Sequence, residues 1–350
     1  MCSENAVSFL RALPKCEHHI HIEGSLEPEM LFFLAKKNGI ELDKGMYSTI
    51  EALEERYRNF TSLDDFLAYF NRAMDVLLTP SDFSAIAYAY LQRTSRDGLA
   101  YAEIFFDPQA HNGRGVELET VVKGLREGLE RGEREFGVKT RLVACLEKHL
   151  PVEDACEMVQ SLKPYVGKEV IGLGADSTEK GNHPTKFTPA YFLARSLGLT
   201  NLTMHSGEEG PASWVRSSLA DVGVSRIDHG VRAADDLDLL EKLARDGTML
   251  TLCPLSNVRL CVHKDVRESP IPLFLEKGVP FSINSDDPAY FGGYILDNFI
   301  AVQDAFSLPK STWRMIVLNS INGSWCDEGE KERLKGRLED VMLEWEGKEI

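Results

Sequence analysis

The chain has 350 residues, 43% hydrophobic and 27% charged, which suits a packed globule and excludes a disordered or collagen-like polymer. Its 39 Lys and Arg stand against 55 Asp and Glu, a formal charge of −16 with no basic stripe, which excludes a nucleic-acid backbone as its partner. The 7 cysteines are scattered without a C-x-x-C pair. No basic leader precedes an apolar stretch, and no window approaches the roughly 18–20 apolar residues of a membrane span. The expectation is a cytoplasmic protein, nuclear as well in a eukaryote, with no membrane partner.

In chain order, short β-like runs alternate with longer helical stretches. The first run, residues 17–22, is followed by a region holding only helical patterns, at 28–37, 50–57 and 63–78. Further β-like runs fall at 100–105, 140–145, 170–174, 201–205, 225–229, 248–252 and 280–284. From the third onward their starts lie roughly 25–30 residues apart, the spacing of a strand with its crossover helix. Amphipathic helices are expected between them, at 190–197, 235–245 and 271–276. The pattern predicts an α/β fold: a (β/α)8 TIM barrel in a single domain over residues 1–350, with a helical insertion at about 25–98 able to cover the barrel mouth. The tail, 327–350, reads as a charged surface helix interrupted by Gly336.

Position singles out four of the 9 histidines. His19 and His21 are two apart on the first run, so both face one side of the strand and His18 faces the other. His205 and His229 close the fifth and sixth runs, and Asp286 and Asp287 follow the eighth. Imidazoles and carboxylates thus end four strands on the face where barrel active sites form. Each has a plainer reading, Asp287 before Pro288 as a helix cap for instance. Together they suit Zn2+ with an open position for water. Glu208, three residues past His205, suits a buried proton carrier, and His229 suits a group that holds the attacking water. Metal-assisted hydrolysis is the resulting expectation. His111, His149, His183 and His263 read as surface or supporting residues, Cys253 as packing beside the seventh strand, and 51–56 as a solvated helix face. Phe60, Phe66 and Phe70 read as packing for the inserted helices, with a lid over the ligand as the alternative.

Five segments carry a family resemblance: PKCEHHIHIEGS (14–25), HSGE (205–208), RIDHG (226–230), CPLSN (253–257) and SINSDDP (282–288). In order and spacing the chain resembles the adenosine/adenine deaminase family of the amidohydrolase superfamily. HIEGSLEPEMLF (21–32), TSLDDFLAYF (61–70), YAEIFFDPQAH (101–111), SNVRL (256–260) and DDPAYFGGY (286–294) resemble its fungal and bacterial adenine deaminases more than its adenosine-specific members.

The resemblance implies a small purine substrate and one Zn2+ per subunit, held by His19, His21, His205 and Asp286. Glu208 would protonate purine N1, His229 and Asp286 would orient the attacking hydroxide at C6, and ammonia would leave hypoxanthine. Asp287 would bond N7, and the backbone near Ser177, where the family often has Gly, would approach N3. Adenosine-specific members tend to carry Asp where Glu23 stands, at a ribose contact, so the longer Glu23 is expected to fill that space and favour a free base. Alternatives are a deaminase of adenosine or of an N6-substituted adenine or nucleotide and, more remotely, a non-catalytic barrel that binds a purine or a protein. Oligomeric state stays open.

Overall fold

The structure, a computed structural model, describes residues 2–350. Its strands are β1 (Lys15–Glu17), β2 (Leu99–Phe106), β3 (Lys139–Glu147), β4 (Val170–Asp176), β5 in two pieces (Asn201–Leu202 and His205–Ser206), β6 (Ile227–His229), β7 (Leu250–Leu252) and β8 (Phe281–Ile283). Neighbours pair in parallel in that order. The break in β5 is local, since Thr203 N–H still donates to Leu173 O at 3.0 Å and Asp228 N–H to Met204 O at 2.9 Å. The single bridge Ile20–Asp286 closes the ring between the segments that follow β1 and β8, and the bridge His21–Phe105 carries the β1–β2 pairing onward. The chain is therefore a (β/α)8 barrel.

The first strand differs from expectation: it runs from Lys15 to Glu17, and His19 and His21 lie beyond it. The ladder lapses because His18 N–H donates to the Asn284 side-chain oxygen, at 2.8 Å, instead of a backbone carbonyl. Low in the barrel, Arg226 bonds Glu103 at 2.5 Å and lies over the Trp325 ring, so the lower interior is a paired polar plug.

The helices start where short polar side chains take up free amides. Ser3 caps α1 (Glu4–Ala12), and α2 (Pro28–Asn38) begins on a proline. Thr49 caps α3 (Ile50–Tyr57) and Ser62 caps α4 (Leu63–Ala73). The helix expected to reach residue 78 stops at Ala73, tightening into a short turn at Met74–Val76. Beyond it the N–H groups of Leu78 and Thr79 turn to Asp82 Oδ2, at 3.1 and 2.8 Å, inside the capping box of α5 (Pro80–Thr94). The C-terminal helix, Glu328–Glu344, runs unbroken through Gly336, contrary to expectation. Leu334 and Leu338, both fully buried, anchor it on either side. Among the described residues no helix is long and apolar enough to cross a membrane.

Helix α5 lies against the helix Leu118–Phe136 along a stripe of Gly124, Gly128 and Gly132. A Cβ at Gly128 would stand 2.3 Å from Ser84 O, and one at Gly124 would stand 2.4 Å from Pro80 O. The two backbones can approach this closely only without side chains between them. Gly128→Ala is expected to cost about 1–3 kcal/mol through overpacking, outweighing the ~1 kcal/mol that alanine gains in an isolated helix. Thermal unfolding checks this, and a raised Tm would sink the packing account.

Candidate active site

The site lies at the C-terminal ends of the strands, where the backbone turns sharply. Among the described residues five non-glycine residues have positive φ, and three are here: Ser177 at 65°, His229 at 58° and Asp286 at 63°. Each follows or ends a strand in left-handed geometry that disfavours side chains. For Ser177 this strain supplies a physical reason for glycine at that position.

Four side chains, His19, His205, His229 and Asp286, each offer one ligand atom within 4.8 Å of the others. His21 reaches the same knot, its Nε2 lying 3.2 Å from His205 Nε2 and 3.5 Å from Asp286 Oδ1. Outer partners distinguish these imidazoles. Thr251 hydroxyl sits 2.9 Å from His19 Nδ1 and 3.1 Å from Asp228 Oδ1. Its one proton goes to the carboxylate, so its oxygen accepts from His19 Nδ1–H, leaving the Nε2 lone pair toward Asp286 Oδ1 at 3.1 Å. Asp176 faces His21 Nδ1 at 3.4 Å, and Asp228 faces His205 Nδ1 at 3.6 Å. Neither His205 Nδ1 nor His229 Nδ1 makes a hydrogen bond among the described residues, and only the first has a carboxylate within 4 Å. Carboxylate or hydroxyl support behind an imidazole is the usual arrangement of a metal ligand, and it is found behind His19, His21 and His205.

The electrostatics agree with a cation at this point. Burial pushes His21 down to about 3 and His205 and His229 well below the ordinary imidazole range. Burial also opposes charge on His19 and on Asp286, yet their mutual attraction prevails, raising the first and lowering the second. Three imidazoles with outer support, a carboxylate held anionic, and two Nε2 atoms facing at 3.2 Å fit a borderline divalent metal ion.

Glu208 is buried with its Oε1 accepting from Asn257 Nδ2 at 3.3 Å and its Oε2 3.5 Å from His229 Nε2. Burial, reinforced by Asp286 and Glu179, lifts its carboxyl well above the ordinary range, which favours the protonated form. Asp287, its Oδ1 unpartnered, is likewise raised, by burial first and then by Asp286 and Asp107.

These groups border one cavity, partly open to solvent. His21, His205, Glu208, His229, Asp286, Asp287 and Ser177 line it, and His19 lies buried beneath them. Glu23 does not line it: its Oε1 accepts from His111 Nε2 at 2.8 Å and from Asp107 N–H at 3.3 Å, behind the wall. Glu23 therefore does not itself fill the ligand space, and the wall there belongs to Asp107. His111 is no surface residue but Glu23's fully buried partner. His149 and His183 are exposed, and His149 Nδ1 meets Ser177 Oγ at 2.9 Å. Cys253 is fully buried, and burial raises its thiol far out of nucleophile range. Phe66 and Phe70 both pack on Tyr290 and line the cavity from α4, whereas Phe60 only packs.

The sequence reading missed Asp107, Glu147 and Asp176, which end or follow β2, β3 and β4 and complete the carboxylate side of the cavity. Burial raises Asp107 to about 7 and Glu147 to about 8. The available signal was position alone, an acid at the end of each β-like run.

The sequence matches the adenosine deaminase family over residues 14–341. The chain belongs to that family. It is 48% identical over 347 residues to an adenine deaminase of Aspergillus fumigatus, covering 97% of this chain and 98% of the relative. To an adenine deaminase of Saccharomyces cerevisiae it is 45% identical over 343 residues, covering 97% and 99%. Its fold matches the crystal structure of an adenine deaminase from Arthrobacter aurescens with a TM-score of 0.91 and 40% identity, covering 95% of this chain and 99% of that one.

Thr251→Val removes the hydroxyl behind His19 and is expected to weaken divalent-metal affinity about 10–100-fold. Competition against a chromophoric chelator measures it, and unchanged affinity would refute the outer-support account.

Proposed function

We propose that the chain is a zinc-dependent adenine deaminase, converting adenine and water to hypoxanthine and ammonia, with one Zn2+ per subunit. The observation that carries this reading is the convergence of a buried carboxyl, Glu208, whose surroundings favour its protonated form, and the imidazole–carboxylate set on one cavity. The family membership and the adenine deaminases at 45–48% identity agree with it.

His19, His21, His205 and Asp286 would hold the metal, which would supply the Lewis acidity that makes water nucleophilic near neutral pH. Glu208 gives its proton to purine N1, drawing electrons from C6 and opening that carbon to attack. His229, with Nε2 3.5 Å from Glu208 Oε2 and 3.8 Å from Asp286 Oδ2, orients the incoming water. Asp287 bonds N7, and the strained backbone at Ser177 lies toward N3. One proton of the water passes to the C6 amino group, which departs as ammonia, the other restores Glu208, and the water oxygen stays as the carbonyl of hypoxanthine. Helix α4, through Leu63, Phe66 and Phe70, keeps bulk water off the reacting face. Glu23 serves the free-base preference from behind, by fixing the Asp107 backbone.

Ammonia release from adenine and adenosine, assayed side by side with zinc-loaded protein, tests the reading. Expected are strong turnover of adenine, weak turnover of adenosine, and a loss of about 10²–10⁴-fold in kcat for Glu208→Gln. Preference for adenosine would overturn the substrate, and an active Glu208→Gln would overturn the proton donor. Metal analysis is expected to find one zinc per chain, and stripping it should abolish turnover until zinc is restored. Full activity in zinc-free protein would rule the mechanism out.

A further inference from the structure

Glu179 lies in the loop after β4, buried, with no role assigned so far. Its carboxylate accepts four backbone N–H groups. Oε1 takes those of Glu208 at 2.8 Å and Glu209 at 3.2 Å, and Oε2 those of Gly207 at 3.0 Å and Gly210 at 3.2 Å. All four belong to one turn, residues 207–210, and that turn carries Glu208.

Four consecutive amides can converge on one anion only if the turn holds a single winding. Gly207 sits at φ 78°, and a Cβ on Gly210 would come within 2.4 Å of Glu179 Oε2. The glycines therefore make room for the carboxylate. A buried anion is costly unless fully hydrogen-bonded, and here its bonds all go to the backbone flanking one catalytic side chain. The residues beside Glu179 extend the grip. Thr178 Oγ1 lies 3.4 Å from Glu209 Oε2. Lys180 Nζ pairs with Glu209 Oε1 at 3.1 Å and with Asp64 Oδ2 on α4 at 2.9 Å.

We propose that Glu179 is the positioning residue of the proton donor: by holding the amides of the 207–210 turn it sets the Glu208 carboxyl against substrate N1, while Lys180 ties the same turn to the helix that walls the cavity. The inference rests on the reading of Glu208 as the proton donor.

Glu179→Gln keeps one oxygen acceptor and turns an NH2 group toward amides that need acceptors. In the zinc-loaded enzyme kcat for adenine is expected to fall about 100-fold, as for a misplaced catalytic group, with KM within about threefold. In the Glu208→Gln background the same substitution is expected to add less than about threefold, because both act through one proton transfer. Hydrogen exchange of the 207–210 amides, read by mass spectrometry or NMR, is expected to accelerate about tenfold or more while β6 stays protected. Zinc content should not change. Should Glu179→Gln fail to fold, Gly210→Ala pushes the carboxylate off the turn from the other side and is expected to give the same split between kcat and KM. Undiminished kcat, or an equal loss in the Glu208→Gln background, would overturn the positioning role. An active Glu208→Gln would instead overturn the proton-donor reading, and the proposal with it, whatever the exchange data show.

Discussion

Three imidazoles and a carboxylate, all buried, meet where the barrel closes. His21 Nε2 and His205 Nε2 face at 3.2 Å, and His19 Nε2 faces Asp286 Oδ1 at 3.1 Å. Lone pairs brought this close repel unless positive charge lies between them. Much of the surrounding structure answers that constraint. Thr251 bonds the far side of the His19 ring, and Asp176 and Asp228 stand behind His21 and His205 at 3.4 and 3.6 Å. Burial favours the neutral form of His21 and His205 and the protonated form of Glu208, so one environment suits the first two to a metal ion and the third to proton donation.

Around this centre the cavity has two chemical halves. One is built from the ends of β1, β5, β6 and β8 and carries the imidazoles and Asp286. The other, from the ends of β2, β3 and β4, carries Asp107, Glu147 and Asp176, with raised carboxyls close together. A neutral heterocycle with both donors and acceptors on its edge is a natural occupant of such a wall, since a carboxyl group near neutrality can give or accept a proton. The apolar face of α4 supplies the remaining side.

The barrel and its metal-facing half were legible in the chain. Strand periodicity marked the eight runs, and the separation of His19 from His21 put both on one face. His205, His229 and Asp286 were marked by ending runs. What escaped notice depends on register across strands. Asp107 and Asp176 are ordinary loop acids until the ring places them beside His21. His111 read as either surface or supporting, and the choice stayed open because nothing local shows that Glu23 turns back to meet it. The first strand ends early because the Asn284 side chain takes the His18 N–H from the ladder, a competition invisible to periodicity. Gly336 was misread because a helix interior tolerates glycine when leucines on either side are buried.

The backbone seam of the cylinder passes through the same residues. Asp286 N–H donates to His19 O, and His21 N–H donates to Asp286 O, each at 3.0 Å. The staves of the barrel are thus joined by the residues whose side chains grip the centre. Parting the first stave from the last would pull Asp286 away from both histidines at once. An ion bound there acts as a rivet across the joint, so occupancy of the centre and integrity of the cylinder are one thermodynamic quantity, read at two points of the same molecule.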